Sequence, residues 1–185
     1  EIEVNIVEGF EEIAKGNVIF CNQNNLNTDG IYPGKYTYND DFSKEDQAKV
    51  VMENYDPEFG KIVEDGDILV SGYNFGTGSS REQAATALKY RGIKLVIAGS
   101  FSETYKRNAI NNGFLTVDCP KFYEHLNDIY GKEELSIKIN SKIKLNFRKS
   151  TIEFEEHIFS FSPVGVAAQE LIVMGGLENW IINNL

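Results

Sequence analysis

The sequence predicts an α/β fold in which a parallel βαβ core is followed by an antiparallel meander. Two observations carry this prediction. From residue 66 to 130, short apolar runs alternate with segments of helix-forming composition, which is the order of βαβ units. After Gly131 the chain changes to short segments in which apolar and polar residues alternate, as in antiparallel strands that expose one face.

The segments before this core predict two strands, a long loop and one helix. Glu1–Ile6 alternates strictly and predicts a half-exposed strand, and Gly16–Cys21 predicts a second strand. Asn22–Asp41 is polar and long, which is typical of a functional loop, although a mobile surface loop is the alternative. Ser43–Asp46 is a capping signal for a helix that reaches Tyr55.

Three strands and three helices form the predicted parallel core. The strands are nearly continuous apolar runs, which is typical of strands buried on both faces. Ser102 suits a helix N-cap, Gly113 the position just after a helix, and Pro120 a first helical turn. The predicted strands are Asp67–Ser71, Lys94–Ala98 and Phe114–Val117, and the helices are Gln83–Arg91, Ser102–Gly113 and Pro120–Asp128.

The remaining chain predicts a meander and two helices. Asn140 and Ser141 are interpreted as one turn of the meander, and Glu155 and Glu156 as another. The predicted strands are Leu135–Asn140, Lys142–Phe147, Thr151–Phe154 and His157–Phe161, and the predicted helices are Pro163–Met174 and a short one through Trp180.

Length and charge limit the possible roles of the chain. Its 185 residues predict one compact domain over residues 1–185. A formal net charge of −10 argues against nucleic acid or an anionic membrane as partner, and an anionic ligand then requires a local positive site. Because the chain opens on Glu1 and not on methionine, we expect it to be an excerpt or a processed product of something longer.

The stretch Gly72–Glu82 (GYNFGTGSSRE) joins a predicted strand to a predicted helix. Ser79, Ser80 and Arg81 are expected at the start of that helix, where free backbone N–H groups and the helix dipole bind anions. The dipole contributes at most ~2 kcal/mol, roughly 1.5 pKa units, which is too little to turn a serine into a base. Arg81 is expected either to supply the missing positive charge or to bind a carboxylate with two hydrogen bonds.

Four other types of glycine-rich turn have sequence patterns that can be compared with this stretch. A plain tight turn with Ser80 as helix N-cap stays open. A dinucleotide-binding fingerprint fits less well because Arg81 stands where its third glycine belongs, and no lysine between Lys61 and Lys89 supplies a Walker loop. The Gly-x-Ser-x-Gly pattern of a nucleophile elbow is also missing.

Three segments, in the same order along the chain, resemble one protein family. They are Asn27–Tyr36 (NTDGIYPGKY), Gly76–Ala85 (GTGSSREQAA) and Ile97–Gly113 (IAGSFSETYKRNAINNG). Together they resemble the swivelling fourth domain of the aconitase superfamily, most of all the carboxy-terminal domain of homoaconitases and next the small subunit of isopropylmalate isomerases. The resemblance extends from about residue 17 to residue 120.

The resemblance implies a three-layer β/β/α swivelling domain that takes part in hydrating cis-homoaconitate to homoisocitrate in lysine biosynthesis. By the same resemblance, Ser79 is the catalytic base, acting as an alkoxide, and Ser80 and Arg81 bind a substrate carboxylate. Lys35, the only cation of its loop, is expected with Tyr36 to meet the distal carboxylate of a tricarboxylic acid longer than citrate. The implied substrate-binding residues are Ser80, Arg81, Thr28, Asp29, Lys35, Tyr36 and Arg107.

The resemblance also implies a cofactor and partners outside this chain. Enzymes of this family hold a 4Fe–4S cluster on three cysteines of other domains, either fused to this one or separate. The chain has only Cys21 and Cys119, without metal-ligand spacing, and we expect it to bind no metal or cofactor itself. The resemblance implies a mitochondrial matrix location for a eukaryotic source and a cytoplasmic one for a prokaryotic source.

Two alternatives stay open at this point. The first is the separate small subunit of a 3-isopropylmalate-type dehydratase. The second is a non-catalytic module that only captures a carboxylate.

Overall fold

The computed structural model describes residues 2–185, which form eight α-helices and one seven-stranded mixed sheet. The strands are β1 (Ile13–Cys21), β2 (Ile68–Ser71), β3 (Leu95–Ala98), β4 (Leu115–Asp118), β5 (Ile137–Asn146), β6 (Thr151–Phe154) and β7 (His157–Ser160). The helices are α1 (Thr28–Ile31), α2 (Lys44–Val50), α3 (Phe59–Ile62), α4 (Gln83–Tyr90), α5 (Glu103–Asn111), α6 (Pro120–Tyr130), α7 (Val166–Met174) and α8 (Leu177–Asn183).

Strand β1 is the centre of the sheet, whose order is β4-β3-β2-β1-β5-β6-β7. On one side β1 pairs in parallel with β2, which continues in parallel to β3 and β4. On the other side β1 pairs antiparallel with β5, and β5, β6 and β7 form the meander. The α/β class, the parallel core and the added antiparallel meander are therefore confirmed, joined in one continuous sheet.

Both faces of the parallel half are buried, as the apolar strands predict. Alternate residues of β1 point to opposite faces, so Phe20 joins one hydrophobic cluster and Ile19 the other. Phe122 of α6 meets Phe154 of β6 edge-to-face at 5.6 Å, which ties a helix of the parallel half to the meander.

Two predicted features of the sheet are wrong. Residues 2–6 form no strand. Their one bond to the backbone of another described segment runs from Val4 N to Arg148 O at 2.8 Å, and the side chain of Gln169 donates to Asn5 O; Glu1 lies outside the described residues. No turn occurs at Asn140 and Ser141, since β5 continues through both. Asn17 of β1 pairs with Lys142 of β5, and the next residue, Val18, pairs with Ile139. Asn140 and Ser141 therefore lie in a β-bulge between these two pairs.

Helix ends differ from the predictions in a few places. The capping box of Ser43 and Asp46 is present, but α2 ends at Val50 and not near Tyr55. Met52 stops the helix because it adopts a left-handed backbone (φ 65°) and donates its N–H to Ile31 O at 2.7 Å. Helix α7 begins at Val166, three residues later than predicted, and the short α3 was not predicted.

Candidate functional site

The loops that follow β1 and β2 lie side by side. Because these strands are parallel neighbours, their carboxyl ends meet at the same edge of the sheet, where open α/β sheets bind ligands. Thr28 N donates to Thr77 O at 2.9 Å, and Gly76 N donates to Leu26 O at 2.8 Å. These bonds connect the loop that carries Thr28 to the glycine-rich stretch about fifty residues later in the chain.

Glycine is required at Gly76 for two reasons. Its φ of 82° lies in the left-handed region, which favours glycine. A Cβ atom there would also lie only 2.2 Å from Cγ of Tyr105, a fully buried ring that donates its hydroxyl to Ala84 O. The sequence of this turn is thus dictated by the packing of α5 against it.

The predicted helix start at Gln83 is confirmed, and the two serines and Arg81 lie just before the helix and not in its first turn. Helix α4 begins at Gln83, and its N-cap is Glu82, which makes no capping side-chain bond. Arg81 N is already bonded to Ser79 O at 2.9 Å, so the backbone forms a turn before the helix. Ser80 is not the N-cap either, and the helix dipole contributes less to the ionisation of Ser79 than expected, because its effect falls off within the first turn.

Ser79 and Thr28 share a hydrogen bond between their hydroxyl groups. The two oxygen atoms, Ser79 Oγ and Thr28 Oγ1, lie 3.1 Å apart. Thr28 is buried, whereas Ser79 and Ser80 are exposed at the surface. A buried hydroxyl that donates to Ser79 Oγ stabilises negative charge on that oxygen.

Arg81 is anchored through one of its terminal nitrogens. Its Nη1 donates to Tyr32 O at 2.9 Å and to Asp29 Oδ1 at 3.3 Å. Within residues 2–185, Nε and Nη2 of the same guanidinium donate no hydrogen bond, and the side chain is 17% exposed. The edge formed by Nε and Nη2 therefore has the geometry for a carboxylate held by two parallel hydrogen bonds.

Asp29 holds Arg81 in place. The backbone N–H of Gly34 donates to its Oδ1 at 2.8 Å, and this bond is the largest cause that keeps the pKa of Asp29 below its usual range. Arg81 and the side chain of Asn54 lower this pKa further, while slight burial opposes them. Asp29 is therefore ionised at neutral pH. Asn54 was missed by the sequence analysis, because it lies outside all three motifs.

Lys35 and Tyr36 form a second polar cluster beside this loop. Lys35 Nζ is 4.0 Å from Glu53 Oε1 and 5.0 Å from the centre of the Tyr36 ring. The Tyr36 ring stacks on Phe42, with 4.8 Å between ring centres. The cation is thus placed over an aromatic surface and is two-thirds exposed.

Arg107 lies elsewhere. It is exposed on α5 and lines a cavity of about 310 Å³ between α5, β4 and the segment before α7. Lys106 on the same wall pairs with Asp118 at 2.9 Å. Among the described residues, no hydrogen bond or ion pair joins Arg107 to Ser79, Thr28 or Arg81, so the structure does not bring it together with them.

The two cysteines do not fit an iron–sulfur cluster or a metal ion. Both Cys21 and Cys119 are fully buried, and burial raises the pKa of the Cys21 thiol to about 12 and that of Cys119 above its usual value. Residues 2–185 contain no group of three or more His, Cys, Asp or Glu side chains placed to hold a metal. In the same part of the chain, no helix has the length and apolar character needed to cross a membrane.

The fold and these two loops define an α/β domain that carries serine hydroxyls and an anchored guanidinium on two joined loops. The chain belongs to the aconitase C-terminal domain family, whose match covers residues 2–122. This agrees with the family named by the three motifs. The serines, Arg81 and the Thr28 loop all lie within the matched region.

Named relatives are similar over the whole chain. The mitochondrial homoaconitase of Candida parapsilosis is 46% identical over 192 residues, and that of Candida albicans is 46% identical over 189 residues. These alignments cover 100% and 98% of this chain but 28% of each relative, so the chain spans under a third of their length. The crystal structure of a 3-isopropylmalate dehydratase from Methanocaldococcus jannaschii matches with a TM-score of 0.75 at 32% identity, covering 92% of this chain and 94% of the other.

Proposed function

We propose that the chain is the substrate-binding and base-supplying domain of a homoaconitase, which hydrates cis-homoaconitate to homoisocitrate in lysine biosynthesis. The observation that carries the proposal is the joined pair of loops, in which Ser79 bonds Thr28 and Arg81 is held by Asp29 with one edge open. Homoaconitases aligned over the entire chain support the substrate class. The proposed site residues are Ser79, Ser80, Arg81, Thr28, Asp29, Lys35 and Tyr36.

Ser79 is the proposed base. In the dehydration direction its alkoxide takes the proton from the carbon next to a substrate carboxylate. The electron pair of the broken C–H bond then forms the C=C bond as the C–O bond on the neighbouring carbon breaks and the hydroxyl group leaves. In the hydration direction the Ser79 hydroxyl returns the proton. When Ser79 is an alkoxide, the Thr28 hydroxyl is the donor of their shared hydrogen bond and stabilises this charged form.

Arg81 and Ser80 are the proposed carboxylate ligands. The open edge of the Arg81 guanidinium neutralises a carboxylate beside the reacting carbon, where negative charge accumulates when the proton leaves. Because Ser79 and Ser80 are exposed in this chain, another domain has to cover them and exclude water during the reaction.

The complete enzyme is proposed to contain further domains. Since the cysteines of this chain do not fit a 4Fe–4S cluster, we assign the cluster to aconitase-like partner domains, fused or separate. The relatives named above are mitochondrial homoaconitases, and we propose the mitochondrial matrix as the location of this one. Substrate binding by Arg107 stays a prediction, and no contact among the described residues supports it.

A reconstitution assay tests the proposal. The chain is combined with the cluster-bearing domains, fused or added separately, and hydration of cis-homoaconitate is followed together with the iron content of each component. We expect activity only in the combined sample and no stoichiometric iron in the isolated chain. Turnover by the chain alone, or a combined enzyme that does not act on cis-homoaconitate, contradicts the proposal.

A second function, a subunit of a 3-isopropylmalate-type dehydratase, is supported by one observation. The chain covers 94% of the archaeal dehydratase structure, so a domain of this size exists as a separate polypeptide. Assaying the same combined sample with the isopropylmalate-type substrate decides between the two functions.

A further inference from the structure

The segment that follows α2 contacts the Asp29 loop from outside. The side-chain amide of Asn54 donates to Asp29 O at 3.1 Å and to Asp29 Oδ2 at 3.3 Å. Two residues earlier, the fully buried Met52 donates its N–H to Ile31 O. The segment is therefore fixed to the core and to the loop at once, and Asn54 is the point where it touches the proposed site.

Asp29 receives three different donors. Its Oδ1 accepts from Gly34 N and Arg81 Nη1, and its Oδ2 accepts from Asn54. Two donors on the same oxygen leave Oδ2 unbonded and restrain rotation about the Cβ–Cγ bond only through Oδ1. A donor on the second oxygen fixes the plane of the group, and so fixes the direction in which Oδ1 faces Arg81.

We propose that Asn54 is a positioning residue for Arg81. It orients Asp29, and Asp29 together with Tyr32 O retains Nη1, so that the edge formed by Nε and Nη2 points outward to the substrate carboxylate. The inference rests on the proposed function, because it needs Arg81 to bind substrate. Asn54 itself touches neither the substrate-binding edge of Arg81 nor Ser79, and acts only through Asp29.

The neutrality of Asn54 is part of its role. Within residues 2–185, Arg81 is the only charged side chain that a hydrogen bond or ion pair joins to Asp29. Replacing Asn54 by aspartate keeps its size but removes the donor and sets a second negative charge beside the Asp29 carboxylate. Two carboxylates at this distance repel, so Asp29 is expected to turn away and release Arg81.

Kinetics of the complete enzyme give the first test. One lost hydrogen bond predicts that Asn54→Ala lowers kcat/KM for cis-homoaconitate about 3- to 10-fold, mainly through KM, and Asn54→Asp lowers it more. The control is Asn179→Ala, because Asn179 is also an exposed asparagine that donates to a backbone carbonyl, that of Met174 at 3.0 Å. All variants are expected to melt within a few degrees of the wild type, since Asn54 is exposed.

A titration of the chain described here gives the second test and does not depend on activity. The midpoint of the Asp29 carboxyl, followed by carbon NMR, is expected to rise in Asn54→Ala and to rise further in Asn54→Asp, because a donor to the ionised form is lost. Unchanged midpoints in both variants overturn the inference. If the Asp29 midpoints shift but the complete enzyme is inactive on cis-homoaconitate, only the proposed function is contradicted. If the complete enzyme is active and Asn54→Asp has the kinetics of the wild type, only the positioning role is contradicted.

Discussion

Two polar regions of the molecule differ in how their residues are held. In the loop region, side chains from Thr28 to Arg81 are connected by hydrogen bonds across two separate loops. In the cavity beside β4, Arg107 extends from one helix, and an ion pair on the same wall joins its neighbour Lys106 to Asp118. The cavity encloses about 310 Å³, whereas the loop region has the more closely fixed polar atoms.

Enclosure and preorganisation are therefore separate properties of a site. A catalytic group has to be held in a productive geometry, which the bonds from Thr28 and Asp29 supply. Enclosure can come later from another domain, as expected for a chain that spans 28% of its homoaconitase relatives. Three sets of variants in the complete enzyme test this difference.

The largest effect is expected for Ser79→Ala. Removing a general base lowers kcat by at least ~10²-fold, while binding of substrate changes little. The measurement is kcat and KM for cis-homoaconitate. The matched control is Ser162→Ala, because Ser162 lines the cavity of Arg107. A loss confined to KM in Ser79→Ala means that Ser79 only binds substrate.

A smaller effect is expected at the edge of the loop region. Lys35 lies over the Tyr36 ring, and both are expected to accommodate the extra methylene and the distal carboxylate of a homo-substrate. One methylene gives only ~1–3 kcal/mol of discrimination, so the preference is graded. In Lys35→Ala and Tyr36→Ala we expect a smaller ratio of kcat/KM for cis-homoaconitate over cis-aconitate.

An unchanged substrate preference in Lys35→Ala and Tyr36→Ala is the outcome that contradicts this prediction. A ratio that stays the same in both variants means that substrate length is recognised by the partner domains and not by this loop. Glu53→Gln tests the 4.0 Å contact between Lys35 Nζ and Glu53 Oε1, since it removes this ion pair and leaves the contact of Lys35 with the Tyr36 ring unchanged.

The smallest effect is expected for Arg107→Ala, less than about twofold in kcat/KM, because an exposed side chain away from such contacts contributes little. The same substitution at Arg81 is the comparison, and it is expected to raise KM by removing a carboxylate ligand. Effects of equal size at both arginines would contradict the distinction between the two regions.

The sequence was sufficient for the parallel core because its strands carry a strong local signal. Leu95–Ala98 is apolar at every position, and Ser102 caps the helix that follows, as predicted. The bulge in β5 could not be predicted in this way. Asn140 and Ser141 have turn-forming side chains, and only the pairing of β5 with the distant β1 keeps them in a strand.

The residues of the candidate site could be proposed from motifs, but the hydrogen bonds that connect them could not. Thr28, Asp29 and Arg81 were recognised from motifs, but the bonds among them depend on two loops whose proximity follows from strand order. Asn54 belongs to no motif, and only its hydrogen bonds to Asp29 reveal it. Helix α4 begins at Gln83 as predicted, but the turn from Ser79 to Arg81 uses an N–H that the prediction assigned to anion binding.

The central place of β1 has a consequence for biosynthesis. Its nine residues are synthesised before β5, the strand that covers its second edge, and β5 begins only at Ile137. At about 5–20 residues per second, translation leaves that edge open for several seconds. During this interval Val18–Cys21, entirely buried in the finished sheet, are a template for wrong pairing with other chains. The meander, which carries none of the proposed catalytic residues, therefore acts as the protecting edge of a nascent chain.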